Sequence, residues 1–226
     1  MANATYTLNW DQTGEHYVES GVDHVVLYTP KTTGQTTDPY GTATAWNGVT
    51  GITQKPSGGE ANDVYADNIK YISLRSAEKY GSSITAYQSP AEFDACDGSI
   101  DAVPGVKIGQ QARLPFGLSY RTFIGDDVKG QEGAYKIHLA YGLTASPSER
   151  QYATINDSPS PIELSWELES NGILVPNTNY KPISHIEIDS RTVDATKLAA
   201  FLIILYGDET SDGKLPLPNE VITAFT

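Results

Sequence analysis

The sequence predicts a mainly β protein: an antiparallel β-sandwich or barrel-like body with one flanking α-helix at about residues 194–206. Three observations carry this expectation. Period-two alternation of apolar and polar residues recurs along most of the chain. The composition is rich in strand and turn formers, with 14 Tyr, 20 Gly and 13 Pro. Only one stretch combines helical periodicity with matching signals at both ends.

The alternation is clearest between Arg113 and Gly142. Phe116, Leu118, Tyr120, Thr122 and Ile124 alternate with Gly117, Ser119, Arg121 and Phe123, and Tyr135, Ile137, Leu139 and Tyr141 alternate with Lys136, His138 and Ala140. These read as the two arms of a long hairpin, with the polar, glycine-containing segment Gly125–Gly133 as a protruding loop. Earlier in the chain, Thr5–Trp10 and Tyr17–Val18 read as short strand pieces around a turn at Asp11–Glu15, and Val25–Tyr28 as a firmer strand. Thr29–Gly41, broken by Pro30, Gly34 and Pro39, is expected as a long exposed loop. Thr42–Trp46 is read as a short strand, Gly48–Asn62 as a turn region, Val64–Arg75 as one alternating strand, and Ser83–Gln88 as its return partner. Ser89-Pro90-Ala91-Glu92 matches a capping box with proline at the first helical position, predicting one or two helical turns that carry Phe93 inward and stop at Gly98.

Beyond the hairpin, Leu143–Pro161 is a second long connection. Ile162, Leu164, Trp166 and Leu168 then alternate with Glu163, Ser165, Glu167 and Glu169, and Ile186 and Ile188 with His185, Glu187 and Asp189, so each strand has an acidic side. In the helix, Leu198, Phe201, Leu202 and Leu205 share one face, which is expected to dock on the sheet. Asp194 stands at its N-cap and Gly207 just past its end. The chain is therefore read as a body over residues 1–207 and an arm over 208–226, whose apolar Leu215–Phe225 needs cover on its own body or on a neighbour.

With 28 acidic against 15 basic residues the net charge is −13, which opposes any surface that grips phosphate backbones by counterion release. The single cysteine, Cys96, excludes an internal disulfide framework and reads as a small buried hydrophobe. No basic segment followed by an apolar run opens the chain. The longest apolar run, Leu198–Tyr206, is far short of the roughly 20 residues that span a bilayer, so a cytoplasmic chain without a membrane anchor is expected. Gly48–Asn62 lacks phosphate-loop spacing, and Asp94, Asp97 and Asp101 lack that of a calcium loop. His16, His24, His138 and His185 lie far apart in no recognisable motif, so any shared chemistry would have to be assembled by tertiary contacts. Asp126 with Asp127, or Glu167 with Glu169, are paired carboxylates of the kind glycoside hydrolysis uses, although loop and sheet-face positions need no such role. Trp10, Trp46 and Trp166 are candidates for a sugar-stacking platform, with core packing the plainer place for Trp166. No catalytic, cofactor or metal residue is expected. A carbohydrate-binding module and a hydrolase with a dispersed site remain as alternative functions.

Six ordered stretches carry a resemblance: LNWDQTGEHYVESGVDHVVLY (8–28), VYADNIKYISLRSAEKYGSSITAYQSPAEFDACDG (64–98), VKIGQQARLPFGLSYRTFIGDD (106–127), YKIHLAYG (135–142), SPSERQYATINDSP (146–159) and SRTVDATKLAAFLIILYG (190–207). Over most of the chain these resemble the major tail tube proteins of long, non-contractile-tailed, siphovirus-type bacteriophages. The resemblance implies the tail tube β-sandwich with one flanking helix, in subunits that form hexameric rings. The rings would stack into the hollow tail of a virion, assembled in the host bacterial cytoplasm. It implies as partners other copies of the chain, a tape-measure protein, tail-end proteins at both tube ends, and genomic DNA that passes through without specific binding. The apolar Phe201-Leu202-Ile203-Ile204 departs from the more polar helix of such proteins and implies cover on two sides.

Ring closure needs heterologous contacts and edge strands that pair between subunits. This places the Gly125–Gly133 loop, with Asp126, Asp127, Lys129 and Glu132, at a subunit contact. A tube that lets DNA slide must repel it, which makes Glu163, Glu167, Glu169, Glu187 and Asp189 the candidate lining of the lumen.

Overall fold

The computed structural model describes residues 8, 10–31, 39–147, 150–154, 160–175 and 179–226. In chain order the strands are β1 (Val18–Pro30), β2 (Tyr40–Ala45), β3 (Val49–Gln54), β4 (Ala61–Ala66), β5 (Ile69–Arg75), β6 (Gly81–Ala86), β7 (Ile100–Val103), β8 (Val106–Ile108), β9 (Phe116–Asp126), β10 (Gly130–Ser146), β11 (Leu164–Ser170) and β12 (His185–Asp189). A 3-10 turn, Ala91–Phe93, leads into the short helix α1 (Asp94–Asp97), and α2 (Ala195–Tyr206) and α3 (Pro218–Phe225) follow the last strand. Eight strands make one antiparallel sheet in the order β2-β1-β9-β10-β11-β6-β3, with β12 on the same edge of β10 as β11. The pairs β4–β5 and β7–β8 are separate hairpins. The protein is mainly β, as the alternation predicts.

Strand β10 organises the sheet. Its first half pairs with β12, Lys136–Ala140 against Asp189–His185, and its second half pairs with β11, Leu143–Ser146 against Ser170–Glu167. Between the halves the register against β9 shifts, and Gly142 takes φ 58°, a left-handed value that Cβ-bearing residues resist. One extra residue exchanges the faces. Ile137, Leu139 and Tyr141 point to the helices, whereas Leu143 and Ala145, past the bulge, join Ala140 on the opposite side.

Two cores result, one on each face. In the first, Phe93 from the 3-10 turn stands edge-on to Phe116 and to Trp166, with ring centroids 5.3 Å away in both cases. The buried indoles keep their donors satisfied: Trp46 Nε1 donates to the Gln88 carbonyl at 2.8 Å and Trp166 Nε1 to Asp97 Oδ1 at 3.0 Å. Cys96 is buried beside them, and burial pushes its thiol up to about 12. The second core lies under the helices. Asp194 Oδ1 accepts from Thr196 N and Lys197 N and so caps α2, as its position predicts. Leu198, Phe201 and Leu205 are buried, and Tyr28 Oη donates to the Leu205 carbonyl at 2.9 Å, fastening the end of α2 to β1. The arm covers its own body: Leu215 and Val221 are buried in this core, Phe225 packs on Phe201 at 5.2 Å, and Tyr141 Oη donates to the Pro216 carbonyl.

Several expectations are corrected. Val64–Arg75 is not one strand; it folds at Asp67 (φ 51°) and Asn68 (φ 63°) into the hairpin β4–β5, a paired positive-φ turn that Asp-Asn favours. The partners of β6 are instead β11 and β3, the latter inside the segment read as turns. The protruding loop Gly125–Gly133 shrinks to a turn at 127–129, because β9 and β10 extend into it. Pro90 stands at the N-cap of the 3-10 turn with no side-chain bond, so the capping box at Ser89 does not form. Trp10 is exposed while Trp46 and Trp166 are buried, so these three tryptophans do not form a stacking platform. Leu202 is half-buried, and Ile203 and Ile204 are 49% and 40% exposed, so the described residues do not cover α2 on its second side. The expected strand piece at Thr5–Trp10 falls largely outside the described residues, as do 32–38 of the first long loop and 148–149 and 155–159 of the second.

Leu205→Ala should cost about 2 to 5 kcal/mol as a fully buried truncation, and Leu202→Ala less than about 2. Gly142→Ala should cost about 1 to 2 kcal/mol through backbone strain alone. Urea unfolding with unchanged m-values would measure all three. Equal losses at Leu202 and Leu205 would mean that the helix is docked in another rotation.

Candidate functional site

Two surfaces are left unfinished by the fold, and they are the candidates. The first is apolar. A two-stranded hairpin buries too little to stand alone, and along β4–β5 the residues Val64, Ile72 and Leu74 share a face on which each is 39% to 53% exposed. The opposite face carries exposed Tyr65 beside a polar cluster, with Asp63 accepting from Ser73 Oγ at 2.7 Å and paired with Lys70 Nζ at 2.8 Å. In β7–β8, Ile100 lies opposite Ile108 and Val103 opposite Val106, all about half exposed. Apolar surface left exposed in this way beside two buried cores is the first candidate for an interaction surface.

The residues expected at a subunit contact are partly spent on the chain's own turn. Asp126 Oδ1 accepts from the backbone of Val128 and Lys129, and Asp127 accepts from Gly14 N at 2.9 Å and faces His16 Nδ1 at 3.2 Å. Lys129 is exposed, and Glu132 lies in β10 with its side chain outside the described residues.

The acidic strands divide in an unexpected way. β11 turns Trp166 and Leu168 into the first core, so Glu167 and Glu169 face away from it. β12 turns Ile188 into the second core, so Glu187 and Asp189 lie on the first-core side. The lining read as one acidic surface is two rows on opposite faces, separated by the bulge at Gly142 between the β12 and β11 pairings. Basic or hydroxyl partners meet most of these carboxylates: Thr50 Oγ1 donates to Glu163, Lys55 lies 2.7 Å from Glu167, Lys136 2.8 Å from Glu187, and Arg191 2.6 Å from Asp189.

The second unfinished surface is the polar end of the first core, where Glu187 stands. Rings from four segments form a column: Tyr120 on His138 at 4.6 Å, His138 beside His185 at 5.4 Å, and His185 on Tyr80 at 5.2 Å. His138 is buried, with Nε2 at 3.0 Å from Thr122 Oγ1 and Nδ1 at 3.2 Å from His185 Nε2. Gln54 bridges Tyr120 Oη at 2.7 Å and His185 Nε2 at 3.3 Å. Around the column, Lys136 Nζ holds Glu19 and Glu187, each at 2.8 Å. Burial pushes the Glu19 carboxyl up, but hydrogen bonds from Lys136 and Thr122 and the Lys136 charge outweigh it and hold the group below its usual range. Hydrogen bonds to Glu187 and Glu19 raise Lys136 in turn. Sequence reasoning placed both histidines on strands but did not bring them together, since the pairing of β12 with β10 spans a separation that no local pattern reports.

Compared with known proteins, the chain matches no protein-family model and no curated protein. Among the described residues no group of His, Cys, Asp and Glu has the geometry to hold a metal ion, and no helix is long and apolar enough to cross a membrane.

Lys136→Gln should remove the stability that the depressed Glu19 contributes. That contribution is present above the unfolded carboxyl value and lost as pH falls through the lower folded one. The variant should therefore be less stable than the parent at pH 7, by a margin that narrows as pH falls through the carboxylate range. A penalty that does not change with pH would assign Lys136 a packing role.

Proposed function

We propose that this chain is a structural subunit that polymerises with copies of itself into stacked rings, serving as the tail tube protein of a siphovirus-type phage. The observation that carries the proposal is the pair of apolar hairpins, β4–β5 and β7–β8, on a body whose own cores are complete. Such a body can fold first and assemble afterwards, and burial of the hairpins between copies supplies the driving force. The outer face of α2, with Ile203 and Ile204, adds surface for a neighbour to cover, and β2 and β3, which end the sheet, offer strand edges. The resemblance in sequence supplies the finer reading: hexameric rings around a tape-measure protein, tail-end proteins at both ends of the tube, and DNA passing a lining that repels it. The net charge of −13 suits that passage.

Electron microscopy and light scattering of the purified chain should show rings or tubes, whereas a monomer at high concentration, with no rings, would refute self-assembly. Combining Val64→Thr, Ile72→Thr and Leu74→Thr should leave the circular dichroism and thermal midpoint of the monomer within a few degrees of the parent and abolish assembly. Tubes that form as before would remove the hairpin from the contact.

A further inference from the structure

We propose that the side-by-side rings of His138 and His185 form a proton-sensitive clasp that holds edge strand β12 against β10 and opens when the pair takes up a second proton. This inference is independent of the assembly reading. It rests on how many protons the hydrogen-bond network can place. Thr122 has one hydroxyl proton, donated to Glu19 Oε1 at 2.7 Å, so toward His138 Nε2 it acts as acceptor and His138 carries its proton on Nε2. In the neutral ring Nδ1 is then bare, and it accepts from His185 Nε2–H across 3.2 Å. A first added proton is accommodated. It sits on His138 Nδ1 and points at His185 Nε2, whose proton moves to Nδ1 of its own ring. The Gln54 amide nitrogen, 3.3 Å from His185 Nε2, is placed to donate to the bare nitrogen of the singly charged pair, and a half-turn of the amide would offer oxygen to His185 Nε2–H in the neutral one. A second proton has no place. Two N–H groups and two positive charges would then face each other at hydrogen-bond distance.

The groups around the pair come from every element packed on it: Glu19 from β1, Gln54 from β3, Tyr80 from just before β6, Tyr120 and Thr122 from β9, Lys136 from β10 and Glu187 from β12. Glu19 and Glu187 lie 3.5 Å and 3.9 Å from the His138 nitrogens and favour the first proton, while Lys136 opposes it. Burial depresses both rings, and with the His138 charge added it brings His185 down to about 4. β12 has β10 as its one partner strand among the described residues. A released β12 exposes both histidines to water, where they titrate near 6.5. The clasped form binds fewer protons than the open one between about 6.5 and about 4, so closure is complete above that window and weakens as pH falls through it.

Amide hydrogen exchange of the full chain between pH 7 and pH 4, corrected for intrinsic rates, tests this. Protection of Ile186–Ile188 should fall roughly tenfold or more relative to Leu118 and Ser119 in β9. His185→Gln, which keeps a polar partner that does not titrate, should flatten that dependence. Equal loss of protection in β9 and β12, or an unchanged slope in the variant, would overturn the clasp. If the variant does not fold, the imidazole nitrogen shifts of the parent decide: two linked steps, with the neutral His138 proton on Nε2, are expected, and two independent titrations near pH 6.5 would overturn it.

Discussion

The rest of the structure depends on a single residue's worth of slack in β10. A continuous strand of 17 residues would present one set of side chains to one face throughout. The bulge at Gly142 lets the strand serve two cores and two partner strands in succession, with β12 and the helices before it and β11 and the aromatic core after it. The same residue anchors a long-range contact, since its amide donates to Tyr40 Oη at 2.8 Å and ties the start of β2 to the bend. Burial raises the Tyr40 phenol to about 12, keeping it neutral at any physiological pH.

Around that bend, tyrosines do much of the fastening. Tyr28 and Tyr141 are fully buried, and each sends its hydroxyl to a backbone carbonyl of a helical or arm segment. A large apolar ring with one directional donor suits a joint between a sheet and a helix layer. The ring supplies area, and the hydroxyl selects one position along the helix. Close approach helps as well: a Cβ on Gly117 would stand 2.3 Å from Leu215 Cδ2, so the arm lies directly on the backbone of β9. The C-terminal segment is in this way part of the second core.

Charge is distributed less simply than the composition suggests. The excess of acid is large for the whole chain, yet locally Lys55, Lys136 and Arg191 sit against the carboxylates of the sheet. The resulting surface repels a polyanion at a distance while individual carboxylates remain anchored.

Local pattern determined a good deal. The alternating strands, the cap at Asp194, most of the docking face of α2 and the burial of Trp166 follow from periods of 2 and 3.6 and from capping chemistry, which act over a few residues. The Asp67-Asn68 turn carries a local signal, two consecutive residues tolerant of positive φ, but alternation on both sides made the segment read as one strand. What only the tertiary structure decided is pairing across distance and the face each strand turns inward. Whether β6 meets β3 or β5, whether Glu167 and Glu187 share a face, and whether His138 meets His185 depend on loop closures and on one bulge. The free energy of those choices is spread over whole cores, so no single stretch of sequence reports them.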